Sequence, residues 1–340
     1  MDLLLEPMLP HTFLESLEKA FSKARIAVIG DLMLDRYLFG GVSRISPEAP
    51  VPILDIHRDE IRLGGAANVG HNIQTLGATP LLIGVVGEDS KGNRVKSILE
   101  KLGLSTEGIV TDPERPTTIK TRVVAGSQQI LRIDHEKNHS LSAATEKKLF
   151  AALEKQIDSL DGIILEDYNK GVLSTALIAK VIKLANEHKV PVFVDPKHDN
   201  FFEYKNVSVF KPNKKEIEDA LRTKLSTDEQ IHAAGMKLLS MLGAENVLLT
   251  LSEKGMLLFE QGEAEPFSIP TRAREVADVS GAGDTVIATL AVAQACGASV
   301  REAATIANRA AGLVIEELGI VPIYKEQLFE ALKEDVEEAN

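Results

Sequence analysis

Along almost the whole chain, short apolar runs alternate with longer amphipathic ones, and this pattern constrains the fold more than any other feature. The runs Ile26–Ile29, Leu81–Val86, Ile163–Leu165, Val192–Val194, Val207–Phe210 and Val247–Leu251 are brief and nearly continuous in hydrophobicity. Strands buried on both faces read this way. Between and after them, amphipathic spacing predicts helices over about Ala66–Leu76, Arg94–Leu102, Ala144–Ile157, Thr175–Glu187, Asp228–Leu242, Thr285–Ala295 and Val300–Leu318. Ser174 and Ser299 stand where helix N-caps belong. Alternation of this kind predicts an α/β fold, a mostly parallel central sheet with helices on both faces. Ligands in such folds gather beyond the carboxyl ends of the strands.

Two stretches break the alternation. Gly40–Leu63 holds Pro47, Pro50 and Pro52 among β-prone residues, and Thr117–His135 reads as strands Thr118–Val124 and Gln129–Ile133 joined by a turn at Gly126-Ser127. Together they predict a small β-sheet lid, from segments of about 36–63 and 117–136, over a cleft from which water is excluded. The chain thus divides into one α/β domain over 13–325, lid included, and an acidic, solvated helix or tail over 326–340.

Composition removes several function classes. The chain has 340 residues, 50 acidic against 38 basic, a net charge of −12, no Trp and 4 Tyr. That balance disfavours a nucleic-acid backbone as partner, though it leaves a local anion site possible. The most apolar stretch, Val286–Ala298, is interrupted by Thr289 and Gln294 and falls short of the ~20 residues a membrane span needs. The N-terminal MDLLLEPMLPHTF carries Asp2 and Glu6 where a secretory signal carries basic residues. With Cys296 as the single cysteine, the expectation is a cytoplasmic protein without disulfides, and Cys296 itself reads as helix packing. His135-Glu136-Lys137-Asn138-His139 fits H-E-x-x-H, but it follows an extended run and precedes a helix start. The two histidines therefore straddle a turn rather than share a helix face, and zinc is not expected.

The segment richest in chemistry is Asp278-Val279-Ser280-Gly281-Ala282-Gly283-Asp284-Thr285, which opens an apolar helix. Two glycines let the backbone turn tightly, and the free N–H groups of a helix start make an anion site. Asp284 puts a carboxylate at that point. A base beside an anion hole suits removal of a hydroxyl proton while N–H groups hold a transferring phosphoryl group. The chain lacks G-x-x-x-x-G-K-[ST], and Gly281-Ala282-Gly283 lacks the third glycine of a dinucleotide fingerprint.

DVSGAGDT resembles the C-terminal signature of the ribokinase-like, or PfkB, carbohydrate kinases. Gly64-Gly65-Ala66-Ala67-Asn68 resembles their N-terminal signature, and Asn213-Lys214-Lys215-Glu216 their N-x-x-E motif. The motifs keep family order from about Ile26 to Leu318. The resemblance implies a ribokinase-like fold, ATP and Mg²⁺, and a catalytic Asp284. Gly281, Ala282 and Gly283 would then form the anion hole, with Asn213, Thr250, Ser252, Gly255 and Asn308 at the nucleotide. It further implies that Glu216 reaches Mg²⁺ through water, and that Asp278 and Ser280 match positions that bind a monovalent cation, K⁺, in several relatives. Gly64 and Gly65 let a sugar approach the backbone, Asn68 offers donor and acceptor to hydroxyls, and Asp35 lies where the family binds sugar hydroxyls. Asp31, nearer the strand end, ranks below Asp35 for that role and alternatively holds the loop.

Within the family, residues 30–37, 43–52 and 281–287 are closest to the heptose-7-phosphate kinase branch, although Glu166 and Asn169 depart from its wording. That branch phosphorylates a sugar phosphate at O1 on the route to ADP-heptose and lipopolysaccharide. A 7-phosphate requires cations. Arg44, Arg62, Arg122, Arg132 and Lys170 are the candidates, with Arg132 and Lys170 preferred. Family members pair through exposed lid edges, so a homodimer is expected. Other acceptors (fructose, ribose, fructose 6-phosphate) and a non-catalytic sugar- or nucleotide-sensing role stay open. Adenylyl transfer would need an H-x-G-H that none of the 8 histidines supplies, so no fused transferase is expected.

Overall fold

The computed structural model describes residues 9–126, 128–271, 278–317 and 319–338. Helix α1 (His11–Ala20) and strand β1 (Arg25–Gly30) lead into two long strands, β2 (Leu32–Ile45) and β3 (Pro52–Gly65). The chain returns through α2 (Ala66–Thr75), β4 (Thr79–Gly87), α3 (Ser90–Lys101) and β5 (Ile109–Asp112), then leaves again as β6 (Thr118–Ala125) and β7 (Gln128–His135). Next come α4 (Ala143–Glu154), β8 (Gly162–Glu166), α5 (Thr175–His188), β9 (Val192–Asp195), β10 (Val209–Phe210), α6 (Lys214–Leu221), α7 (Asp228–Leu242) and β11 (Asn246–Thr250). Strands β12 (Met256–Glu260) and β13 (Phe267–Ile269) precede α8 (Ala282–Ala295), α9 (Val300–Val314) and α10 (Lys325–Glu338).

Nine strands form the main sheet in the order β13-β12-β11-β10-β9-β8-β1-β4-β5. It is parallel from β11 to β5, with β12 and β13 added antiparallel at one edge. Strand alternation feeds two cores. Ile26, Val28 and Ile164 pack with residues of α1, α2, α3, α8, α9 and α10, whereas Ala27, Ile29 and Ile163 pack with α4, α5 and α7. Burial on both faces is why the strands are apolar throughout. Ser174 and Ser299 cap α5 and α9, each hydroxyl accepting a backbone N–H three residues on.

The lid is a four-stranded sheet, β3-β2-β6-β7. Its first two strands are longer than expected, 14 residues each. Strand β2 starts at Leu32, two residues after β1 ends, so lid and main sheet share the segment that carries Asp31 and Asp35. Of the expected turn, Gly126 sits at φ 59, and Ser127 lies outside the described residues. His135 ends β7 and His139 follows in an irregular segment, so the H-E-x-x-H residues do not share a helix.

Several boundaries move. Helix α8 begins at Ala282 and takes in the glycine motif, α4 stops at Glu154, α9 stops at Val314, and β10 keeps only two of its four expected residues. Leu318, the expected end of α9, lies outside the described residues, as do Met1–Met8. The largest correction is α10. It is no solvated tail: Leu328, Phe329 and Leu332 are buried in the core, and the Phe329 ring meets Phe21 edge-on at 5.1 Å. Spacing of i, i+1 and i+4 gives an otherwise acidic helix one apolar stripe, and α1 and α9 cover it. Among the described residues, no helix is long and apolar enough to cross a membrane.

Candidate active site

Helix α8 starts directly after Gly281, whose φ of 84 lies in the left-handed region that glycine enters without strain. Three residues on, Asp284 is 3% exposed. Its Oδ2 accepts a hydrogen bond from Asn68 Nδ2 at 2.7 Å and its Oδ1 one from the Tyr168 hydroxyl at 2.9 Å. Asn68 comes from the first turn of α2 and Tyr168 from the loop after β8, so three separate elements hold one carboxylate. Burial raises its pKa to about 6; the hydrogen bond from Asn68 opposes that shift and the charge of Asp195 adds to it. The result is a carboxylate still ionised at neutral pH but with more affinity for a proton than an exposed one.

The floor of the site consists of carboxyl ends of strands, as the fold rule requires. Asp31 follows β1, and its carboxylate accepts the backbone N–H groups of Tyr168, Lys170 and Val172. It therefore holds the loop that positions Tyr168. Glu166 ends β8 and Asp195 ends β9, both buried. Lys211 Nζ meets Asp195 Oδ2 at 2.8 Å, and Lys197 Nζ meets Glu216 Oε1 at 2.5 Å. Burial works against the Lys211 ammonium, yet Asp195 and Glu216 hold its pKa above the ordinary lysine value.

The lid supplies the opposite wall. Asp35, on β2, is buried and ion-paired with Arg122 of β6. A Cβ on Gly64 would run into the Asp35 carboxylate, which is why glycine stands there. Lys120, two residues before Arg122 and so on the same face, lies 4.7 Å from the centroid of the Tyr168 ring. Asp35, Gly65, Lys120, Arg122, Tyr168, Gly281 and Asp284 line a cleft of about 100 Å³.

The other expected residues fall into three groups. Gly64, Gly65, Asn68, Asp35, Gly281, Ala282, Gly283 and Asp284 converge as the motifs imply. Asn213, Thr250, Ser252 and Gly255 come together around the ends of β10 and β11, where Asn213 and Thr250 form a bridge and Gly255 N–H donates to Ser252 O. Asn213 and Glu216 also form a capping box on α6, and Glu216 has both oxygens engaged, by Asn213 N–H and by Lys197. Arg132, Lys170, Asn308, Asp278 and Ser280 are differently employed. Arg132 stands on the exposed edge strand β7, bonded to Asp134, and Lys170 pairs with Glu136. Asn308 is buried with its amide donating to Pro270 O at 2.7 Å. Asp278 accepts the N–H groups of Ser280 and Gly319, tying two loops together.

Sequence reasoning overlooked Lys120, Tyr168, Asp195, Lys197 and Lys211 as site residues. Two signals were available: Lys120 and Arg122 alternate along one strand, and Asp195 directly ends a predicted strand. The Tyr168 contact had no sequence signal, because a loop conformation creates it.

Comparison with known proteins agrees with the geometry. A family model described as pfkB family carbohydrate kinase matches residues 23–325. A protein named Bifunctional protein HldE from Desulfatibacillum aliphaticivorans is 42% identical over 318 residues, covering 94% of this chain and 64% of that protein. Another of the same name from Geobacter metallireducens is 43% identical over 308 residues, covering 90% and 63%. The chain therefore spans less than two thirds of the length of these curated relatives. Among solved structures, an Arabidopsis thaliana ribokinase complexed with ribose and ATP superposes with a TM-score of 0.73 at 22% identity, covering 92% of this chain and 99% of that one. Phosphofructokinase-2 from Escherichia coli in complex with potassium does so with a TM-score of 0.75 at 18% identity, covering 92% and 98%. These two likenesses establish the ribokinase-like fold.

Proposed function

The chain belongs to the pfkB family of carbohydrate kinases, enzymes that move a phosphoryl group to a sugar hydroxyl, and on that premise we propose that it phosphorylates D-glycero-D-manno-heptose 7-phosphate at O1, using ATP. The product would be the 1,7-bisphosphate, for ADP-heptose and lipopolysaccharide core synthesis in the cytoplasm. The observation that carries the chemistry is the buried Asp284 carboxylate at the start of α8, facing a cleft with two cations on its far wall. Similarity to the HldE relatives and the branch wording of residues 30–37 and 43–52 support the acceptor.

In this reading Asp284 takes the O1 proton as the oxygen attacks the γ-phosphoryl group in line, and Asn68 and Tyr168 fix the carboxylate's direction. The N–H groups of Gly281–Gly283 face the charge that spreads over the transferring group. Asp35, Gly64, Gly65 and Asn68 receive the sugar. Lys120 and Arg122, which line the cleft, join Arg132 and Lys170 as the proposed phosphate ligands; Arg132 stands directly across from Arg122 on the neighbouring strand. Mg²⁺ supplies positive charge to the ATP phosphates. The residues present fit it through water: Glu216 is a hard oxygen donor near the nucleotide turn, but both its oxygens are engaged. Asp278 and Ser280 are the proposed position for K⁺, and Asn308 helps to shape the nucleotide pocket by holding Pro270.

We further propose a homodimer through the lid, whose edge strand and turn expose Ile45, Val51, Ile56, Leu131 and Ile133. The acceptor reading is tested by measuring ATP consumption with heptose 7-phosphate, fructose 6-phosphate, ribose and fructose, and locating the new phosphate by NMR. The expected result is a strong preference for heptose 7-phosphate with the phosphate on C1. A preference for any other acceptor overturns the substrate, and no turnover with any of them overturns the kinase activity.

A further inference from the structure

Asp284 is crowded. Carboxylate oxygens of Glu166 and Asp195, at the ends of β8 and β9, lie within 4.8 Å of one of its own, and like charges so close push its carboxylate rather than steer it. Its direction rests on two donors, the Tyr168 hydroxyl and Asn68 Nδ2. A hydroxyl hydrogen turns to suit its acceptor. An amide has no such freedom: turned over, it offers an oxygen, and two acceptors then face each other. The Asn68 amide therefore needs a neighbour that sets which end faces Asp284.

Asn72 is that neighbour. It follows Asn68 by one turn of α2, on the same face, and is 0% exposed. Both ends of its amide are occupied. Oδ1 accepts the Ile323 backbone N–H at 3.0 Å and the Thr285 hydroxyl at 3.3 Å. Nδ2 donates to Asn68 O at 3.0 Å and faces Asn68 Oδ1 at 3.5 Å. A backbone N–H only donates and a backbone carbonyl only accepts, so Ile323 and Asn68 O fix the Asn72 amide one way round. The contact at 3.5 Å is long for a hydrogen bond and acts by polarity: it draws the Asn68 amide oxygen toward Asn72 and leaves the nitrogen for Asp284. Polarity is thus passed from a main-chain N–H, through two side-chain amides, to one oxygen of the carboxylate.

We infer that Asn72 is a positioning residue for phosphoryl transfer, locking the Asn68 amide with its N–H toward Asp284 and tying α2, α8 and the segment after α9 together around the base. The Thr285 bond anchors the residue next to Asp284 in the chain, and the Ile323 bond holds the segment whose Ile320 lines the cleft. The role rests on the reading of Asp284 as general base. A residue that merely ties the core together would alter stability and leave the aim of Asp284 alone, whereas a lock on Asn68 alters the aim.

The test is Asn72→Leu, which keeps the branching of the side chain and removes both ends of the amide, with Asn72→Ala as the second variant should leucine prevent folding. Kinetics are measured with the acceptor that the wild type prefers, on variants that melt cooperatively. kcat is expected to fall about tenfold or more, with KM for ATP unchanged. In an Asn68→Ala background the same substitution should change kcat by about twofold or less, because the lock then has nothing to hold. A second measurement needs no turnover. In NMR spectra of protein carrying isotope-labelled asparagine, the Asn68 side-chain N–H signals, assigned by their loss in Asn68→Ala, should move in Asn72→Leu as well as in Asp284→Asn. The inference is overturned if folded Asn72 variants keep wild-type kcat, if the loss is undiminished without the Asn68 amide, or if the Asn68 signals do not move. A wild type without turnover, or Asp284→Asn as fast as the wild type, instead removes the base and with it the catalytic role, while the amide signals still decide the lock.

Discussion

At the scale of residues, the site depends on a carboxylate whose two oxygens are each aimed by a neutral donor. The Tyr168 hydroxyl, driven by burial and then by the charge of Asp284 to a pKa well above that of a free tyrosine, stays protonated and donates. Asn68 donates at every pH. Asp284→Asn should therefore keep the fold and ligand binding, measured calorimetrically, yet lower kcat by about 10²–10⁴-fold; a variant with near wild-type kcat would remove Asp284 as the base. The pH dependence has a definite sign. Burial raises the Asp284 pKa to about 6, and the base works only when deprotonated, so kcat/KM should fall as pH drops through about 6 and level off above it. A profile flat from pH 5 to 8 would contradict this. Asp284 and Asn68 were legible in the sequence because their motifs are contiguous. Tyr168 was not, because it matters through a neighbour far away along the chain, and Lys120 was signalled only by its alternation with Arg122 on one strand.

At the scale of elements, the strands and most helices could be read directly, since a strand covered on both faces must be apolar at nearly every position. The exceptions have separate causes. Strand β10 is short because only Val209 and Phe210 find partners, in β9 and β11. Helix α8 starts three residues before the expected Thr285 because Gly281 caps it in the left-handed region and Ala282, Gly283 and Asp284 enter its first turn. Helix α10 misled because net acidity was read as exposure, whereas four of its residues are buried. Phe329, 1% exposed against Phe21, makes the distinction measurable. Phe329→Ala should destabilise the protein by about 3–5 kcal/mol, the usual range for emptying a buried aromatic site, seen as a lower midpoint in urea. A change near zero would restore the picture of a solvated tail.

At the scale of the whole molecule, the lid and the main sheet are joined at the candidate site rather than hinged apart from it, because β2 begins two residues after β1 ends. The wall bearing Asp35, Lys120 and Arg122 faces the cleft. Leu131 and Ile133 sit at alternate positions on β7 from Arg132, hence on the opposite, outward face. Half-exposed at 53% and 51%, they are the centre of the proposed dimer contact. Leu131→Glu with Ile133→Glu should give a monomer by sedimentation where the parent is a dimer; a parent that sediments as a monomer at micromolar concentration would exclude the lid contact. The sequence by itself determined the α/β class, the order of the motifs and the candidate for the base, because period, glycine placement and helix starts are local properties of a chain. Only the tertiary structure decided which cations face the cleft, that the C-terminal helix belongs to the core, and that Glu166 meets Asp195 and Asp284. Those outcomes depend on which strand ends the parallel sheet brings side by side, and nothing in a residue's own neighbourhood along the chain encodes that.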